Sequence, residues 1–272
     1  MKWSSVSLLV PALLLFTSAG AEESNAPKID WQTGPTVAKL GSIAQINIPE
    51  GFLFAGPDDT RTLLDLMQNP TSGQELGLMM EANDHWFVLF EFDPVGYVPD
   101  EEKATLDAAA MLKSIREGTE AGNVERRKKG WPEMAITGWE MEPHFNDQTK
   151  NLEWAIRGET QGRPVVNHNT RLLGREGVMR VTLVANPTEM KIALPEYQKI
   201  IAGFGYTEGH RYAEYKKGDK MAKYGLSALV VGGAAAVAAK AGLFKWLWKL
   251  IVVGGVAIAG FFKKLFGGKS SQ

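Results

Sequence analysis

From Val165 to Ala185 the chain reads VVNHNTRLLGREGVMRVTLVA. Two runs rich in β-branched and long apolar residues, Val165 to Leu173 and Val178 to Ala185, flank Gly174-Arg175-Glu176-Gly177. That pattern predicts a tight antiparallel hairpin. Just upstream, LEWAIRG puts Leu152, Trp154 and Ile156 on one face and Glu153 and Arg157 on the other. With Ala135 to Met141 it brackets the turn HFNDQTKN. The second half of the chain therefore predicts a run of neighbouring antiparallel strands.

Working outward, SIAQINIPEGFLF (Ser42 to Phe54) reads as a strand and turn, and Glu75 to Met80 and His85 to Phe92 as two strands separated by Ala82-Asn83-Asp84. Helical signals lie between them. Pro57-Asp58-Asp59 opens a short helix carrying Leu63, Leu64 and Met67. Asp100, followed by Glu101 and Glu102, is the expected N-cap of a long helix with the stripe Ala104, Ala108, Met111, Leu112 and Ile115. Arg126-Arg127-Lys128-Lys129 before Gly130-Trp131-Pro132 predicts its solvated end. A final amphipathic helix is expected over Thr188 to Phe204, with Pro195 marking its start, then a short strand near Tyr206 to Tyr212. Short connections between many strands predict an α+β fold with a mainly antiparallel sheet and packed helices.

The ends differ in kind. Lys2, the apolar run Leu8 to Phe16 and Ala19-Gly20-Ala21 form a signal-peptide pattern (residues 1–21), the alternative being an uncleaved anchor. Residues 22–215 form the expected extracytoplasmic domain and carry 19 Lys+Arg against 30 Asp+Glu, a net −11. From Lys216 to Gln272 there are 10 Lys and one Asp, a net +9. Residues 216–223 read as a basic linker, 224–266 as membrane segments and 267–272 as a polar tail. YGLSALVVGGAAAVAAKAGLF (Tyr224 to Phe244) and WLWKLIVVGGVAIAGFF (Trp246 to Phe262) are each close to the roughly 20 apolar residues that a bilayer requires.

Lys240, Lys245 and Lys249 sit around their junction, which favours a transmembrane hairpin with the lysines at the turn. A single span with an amphipathic tail is the alternative. Gly232/Ala236, Ala235/Ala239 and Gly255/Ala259 would let helices approach closely, within the hairpin or between copies. The expected location is a bacterial inner membrane with the domain facing the periplasm or exterior.

Composition narrows the chemistry. With no Cys there is no disulfide, thiol nucleophile or thiolate metal site. An acidic domain is a poor nucleic-acid binder, since phosphate contacts need clustered Lys and Arg, so nucleic acid is not an expected partner. His85, His144, His168 and His210 show no metal-ligand spacing, and no cofactor or metal is expected. Gly203-Phe204-Gly205 with Gly209 follows a helix rather than a strand, and reads as a cap and turn.

Two constellations remain. Trp139, His144, Asn146 and Asp147 near one turn, with Asn167, His168, Asn169 and Arg171 on a neighbouring strand, would form a polar cleft. There His144 would be a general base and Arg171 an anion clamp, and His144, Asp147 and Arg171 are the candidate catalytic residues. The plainer reading is a turn shaped by Asn and Asp with Arg171 paired across the sheet. Trp86, Phe87, Trp131, Trp139 and Trp154 would stack on sugars or lipid tails if they shared a face, but such residues more often fill a core.

GYVPDEEK (Gly96 to Lys103), GTEAGNVERRKKGWP (Gly118 to Pro132), GWEMEPHFNDQTKNLEWA (Gly138 to Ala155) and VNHNTRLLGREGVM (Val166 to Met179) resemble an uncharacterised family of bacterial membrane-anchored proteins. The resemblance implies a signal peptide, an extracytoplasmic domain and C-terminal transmembrane segments, and no known activity. The family pattern carries Tyr, Asp and Tyr where this chain has Phe145, Asn146 and His168, so it assigns no catalytic role to the last two. A looser similarity, on the late strands and following helix, is to PsbP/Mog1-like domains. The expected function is a binding module at the membrane surface whose partner is membrane lipid or an envelope protein, with self-association through the hairpin. The alternative is a hydrolase or carbohydrate-active enzyme with its cleft around residues 139–171.

Overall fold

The computed structural model describes residues 27–81, 86–101 and 106–231. In chain order the elements are β1 (Trp31–Thr33), β2 (Thr36–Leu40), β3 (Ala44–Ile48), β4 (Phe52–Ala55), α1 (Pro57–Leu66), β5 (Glu75–Glu81), β6 (Phe87–Asp93), α2 (Ala108–Lys128), β7 (Ala135–Asn146), β8 (Asn151–Thr160), β9 (Arg163–Leu173), β10 (Val178–Ala185), α3 (Met190–Ala202), β11 (Phe204–Tyr206) and α4, described over Leu226–Val231. Eight strands form one sheet in the order β1-β4-β5-β6-β10-β9-β8-β7, and β11-β3-β2 form a second. Every strand pair is antiparallel, as expected. The fold is α+β.

The two faces of the large sheet carry separate cores. On one, Leu152, Trp154 and Ile156 meet Leu63 and Leu64 of α1, Met111 and Ile115 of α2, and Leu226 and Leu229 of α4. On the other, Val166, Val181 and Leu183 meet Ala193, Tyr197 and Ile200 of α3 and Ile46 and Ile48 of the small sheet. Central strands are thus covered on both sides, which explains why FVLF and VTLVA are apolar at successive positions instead of alternating. The edge strand β7 alternates, and its register shifts three times against β8. Such bulges twist an edge and discourage pairing with another chain.

The hairpin read first is present. Gly174 N donates to Gly177 O at 2.9 Å. Gly177 is required there by space: a Cβ would lie 2.2 Å from the carbonyl oxygen of Asp93. Trp86 and Trp154 are buried in different cores, and Trp131 and Trp139 are partly covered, so the aromatic set lines no common surface.

Three local expectations are corrected. The N-cap of α2 is Asp107, whose carboxylate accepts from Ala110 N at 3.0 Å, not Asp100. Val98 is buried and Tyr97 bridges to Met221, which ties these two residues to the domain; Glu102 and Ala104, expected in the same helix, lie outside the described residues. Second, Arg126 is not solvated. It is 3% exposed, its Nε donates to Pro132 O, and its guanidinium lies 5.7 Å from the Trp131 ring, while Arg127, Lys128 and Lys129 are exposed. Third, α3 begins at Met190, so Pro195 lies inside the helix. Asn186 Oδ1 accepts from Thr188 N and Glu189 N, both at 2.9 Å, and that turn starts the helix. Pro195 and Lys191 are both exposed, so the break that proline makes in the helical ladder lies on the outer side of the helix.

Residues 216–223, expected as a linker, lie along the domain. Tyr97 N donates to Lys220 O and Ala222 N to Tyr97 O, each at 2.8 Å. Arg175 grips Asp219 with two hydrogen bonds, at 2.7 and 2.8 Å. The expected first membrane stretch then begins inside the domain, since Leu226, Leu229 and Val230 of α4 are buried in the core. Among the described residues no helix is long and apolar enough to cross a membrane. The expected signal peptide (1–21), the Ala82-Asn83-Asp84 turn with His85, and residues 232–272 lie outside the described residues.

Candidate functional site

Side chains of a strand alternate between faces, so residues an odd number apart point to opposite sides. This rule divides the expected polar cleft in two. Arg171 lies on the Trp154 face and is buried, with its guanidinium 4.5 Å from the Trp154 ring. His168, three positions earlier, lies on the α3 face, 5.3 Å edge-on from the Tyr197 ring. His144, on β7, is paired across the ladder with Glu153, which is paired with Thr170. His144 is exposed, as is Asp147 in the next turn, 3.6 Å from Lys150. The three candidate residues therefore do not meet: the sheet separates Arg171 from His144.

What assembles instead is a cleft of about 610 Å³ between β8, β9, α3 and β11. Glu153, His168, Thr170 and Tyr197 line one part of it; Leu172, Ile201, Phe204 and Tyr206 line another, where Asn151 is paired with Leu172 and Asn146 with Asn151. Tyr197 Oη donates to Thr170 Oγ1 at 2.6 Å and so fixes α3 against β9. Tyr206 Oη donates to Leu172 O at 2.8 Å and accepts from Met179 N at 2.9 Å, which anchors the β11 wall. Burial pushes both phenols well above their ordinary range. They act as neutral hydrogen-bonding groups. Arg211, at the rim and mostly exposed, lies 3.7 Å from Glu214.

His168 is held neutral. Burial, and secondarily the nearby His144, lowers its pKa to about 4. Its Nε2 lies 4.0 Å from the Glu153 carboxylate. The sign of the resulting pH dependence follows directly. Between about pH 6.5 and 4 the unfolded chain takes up a proton at His168 and the folded chain does not. Stability is therefore lost as pH falls through that window, by about 3 kcal/mol in total. A His168→Gln variant is expected to show a flatter acid limb in urea unfolding from pH 7 to 4. An unchanged limb would place the proton uptake elsewhere.

The Trp154 face carries a second polar group. Arg180 and Arg171 are directly opposed on β10 and β9, and Glu91 on β6 is opposite Arg180. An Arg180 nitrogen lies 2.6 Å from Glu91 Oε1. Ser72 Oγ lies 2.7 Å from Glu91 and 2.9 Å from Glu75. Among the described residues no carboxylate lies within 4.0 Å of Arg171, and its Nε has no hydrogen-bond partner. Burial first, then repulsion from Arg180, lowers its pKa to about 9. Arg171 is thus a buried structural cation. It does not reach the cleft.

Glu153 and Tyr197 were not among the candidates. Glu153 was legible, because the alternation in LEWAIRG places it opposite Trp154; Tyr197 required knowing where α3 docks. Among the described residues no three His, Asp or Glu side chains are grouped to hold a metal ion.

Among solved structures the chain is similar to cyanobacterial PsbP (CyanoP) from Synechocystis sp. PCC 6803, at 8% identity over 70% of this chain and 99% of that one, TM-score 0.37. It is similar to the Ran-binding protein Mog1p of Saccharomyces cerevisiae, at 8% identity over 68% of this chain and 100% of that one, TM-score 0.34. A third match is PA94, a protein of unknown function from Pseudomonas aeruginosa, at 12% identity over 61% and 92%, TM-score 0.26. The PsbP/Mog1-like similarity expected from the late strands recurs, at scores too low to carry an argument. No curated protein matches the chain. A family model does, over residues 32–263, nearly the whole of what lies between the ends. The chain belongs to DUF2167, a family of proteins of unknown function.

Proposed function

We propose that the protein is a membrane-anchored bacterial envelope protein, exported by residues 1–21 and held by its C-terminal apolar segments, whose domain is a binding module. The observation that carries the binding role is the cleft beside α3. Its volume of about 610 Å³ falls within the range of roughly 300–1,000 Å³ typical of ligand pockets. Its lining mixes apolar side chains such as Leu172, Ile201 and Phe204 with polar ones such as Asn151, Glu153, His168 and Thr170, so it offers both a surface to cover a ligand and groups to orient it. The anchor rests on the apolar stretches and their lysines. Because α4 belongs to the domain core, only 13 residues of the first stretch, 232–244, remain for the bilayer. That is short of the roughly 20 a span needs, and it favours a single span over Trp246 to Phe262. A hydrolase would have to use residues other than the set of His144, Asp147 and Arg171, because Arg171 and His144 lie on opposite faces.

Two measurements on the full chain test this reading. Alkaline carbonate extraction of cells should leave the protein in the membrane pellet, and release into the supernatant would remove the anchor. A photo-crosslinking residue at Gln198, on the cleft rim, should capture a defined adduct. The same residue at Lys113, exposed on α2, should not. Identical adducts at both positions would reject the cleft as the binding site.

A further inference from the structure

Glu153 is the one carboxylate among the described residues that lines the cleft. Its side chain is 24% exposed, and among the described residues none donates a hydrogen bond to it. Two imidazoles stand beside it, His168 with its Nε2 4.0 Å away and the exposed His144 directly opposite on β7, and among the described residues no Lys or Arg lies within 4.0 Å. Arg211, the other charged lining residue, is already paired with Glu214, whose Oε2 also accepts from Gly209 N at 2.8 Å. A carboxylate with no Lys or Arg partner among the described residues therefore stands in the wall of the cavity. Along β9 the lining runs from His168 to Leu172, about 13 Å at a strand's rise per residue, and ends against Phe204 and Tyr206. A partly desolvated carboxylate attracts a cation with hydrogen-bond donors, and an aromatic wall takes an apolar body.

We infer that the cleft binds a ligand carrying a cationic amine or guanidinium group on an apolar or aromatic body, with Glu153 as counter-ion and the Leu172, Ile201, Phe204 and Tyr206 part as the apolar seat. This rests on the reading of the cleft as a binding site. It adds the class of ligand. A free small amine and the basic side chain of a partner peptide share this chemistry, and the wall accommodates the alkyl stem of either.

The test is isothermal titration of the full chain in detergent micelles, with empty micelles subtracted. The probes are 2-phenylethylamine, its neutral isostere 2-phenylethanol, the anion 3-phenylpropionate, and a capped Ala-Ala-Lys-Ala-Ala peptide. The amine is expected to bind, with the alcohol and the acid weaker by about tenfold or more, and Glu153→Gln is expected to remove that preference. Melting temperature and the tryptophan spectrum of Glu153→Gln confirm that its fold is intact. Gln198→Trp, which fills the cleft from its exposed rim, should weaken every probe that binds there. Tighter binding of the peptide than of the amine assigns the cation to a partner's lysine, and the reverse order assigns it to a small molecule. If the alcohol or the acid binds as well as the amine, and Gln198→Trp abolishes that binding, the cleft remains a site and the cationic ligand is rejected. If no probe binds, both the ligand class and the cleft as a binding site are rejected.

Discussion

Glu91→Gln is expected to destabilise the domain by about 3–5 kcal/mol, the cost of leaving a buried charge without its partner. Glu91 is 8% exposed on a central strand. It faces Arg180 across the ladder and accepts from Ser72, and its charge also offsets that of Arg171. Glutamine keeps the shape and one acceptor but removes the charge. Arg180 and Arg171, directly opposed on adjacent strands, would then repel across a poorly screened space. Urea unfolding followed by tryptophan fluorescence reads the change as a lower midpoint at unchanged slope. The Glu91→Gln/Arg180→Met double variant is expected to recover much of the loss, because it removes the charge that was orphaned. A single-variant cost below about 1 kcal/mol would mean that Glu91 is not the counter-ion of this group.

Arg171→Met is expected to move stability the other way, by about 1–2 kcal/mol. Arg171 is wholly enclosed, has no carboxylate within 4.0 Å among the described residues, and lies opposite a second arginine. Replacing buried charge by an apolar side chain of similar length commonly stabilises by about 1–4 kcal/mol. The stacking on Trp154, worth about 0.5–2 kcal/mol, is lost in exchange.

The pH dependence separates this account from simple repacking. A base whose folded pKa is lowered to about 9 carries its full penalty below that pH. The penalty is relieved as pH rises from about 9 toward the unfolded value near 12.5. The advantage of Arg171→Met should therefore be largest at neutral pH and shrink between pH 9 and 11. A variant less stable than the parent, with a pH-independent gap, would show that Arg171 is retained for its packing.

The two arginines also show where sequence reading stops. The hairpin, the alternation in LEWAIRG, the proline-opened α1 and the apolar stripe of α2 were all legible, because each is a local periodicity enforced by which side faces the core. Closeness in sequence suggests one constellation for Arg171 and His168. The two-residue period of a strand already places them on opposite faces, so that part of the site could have been read more strictly. The start of α2 was harder. Asp100 and Asp107 both suit an N-cap, and Tyr97 and Val98, just before them, are tied to residues more than a hundred positions away.

The local pattern of the chain thus specifies an antiparallel α+β fold, an acidic domain and a basic apolar tail, since periodicity, turn residues and charge act over a few neighbours. The docking of α3 over β8 and β9 does not follow from such patterns. It brings Tyr197 from one end of the domain's sequence to Thr170, His168 and Glu153, and it makes the cleft. The same long-range packing draws residues 216–231 into the domain. Burial of one surface by another is a property of pairs of distant segments, and it becomes visible only when both are in place.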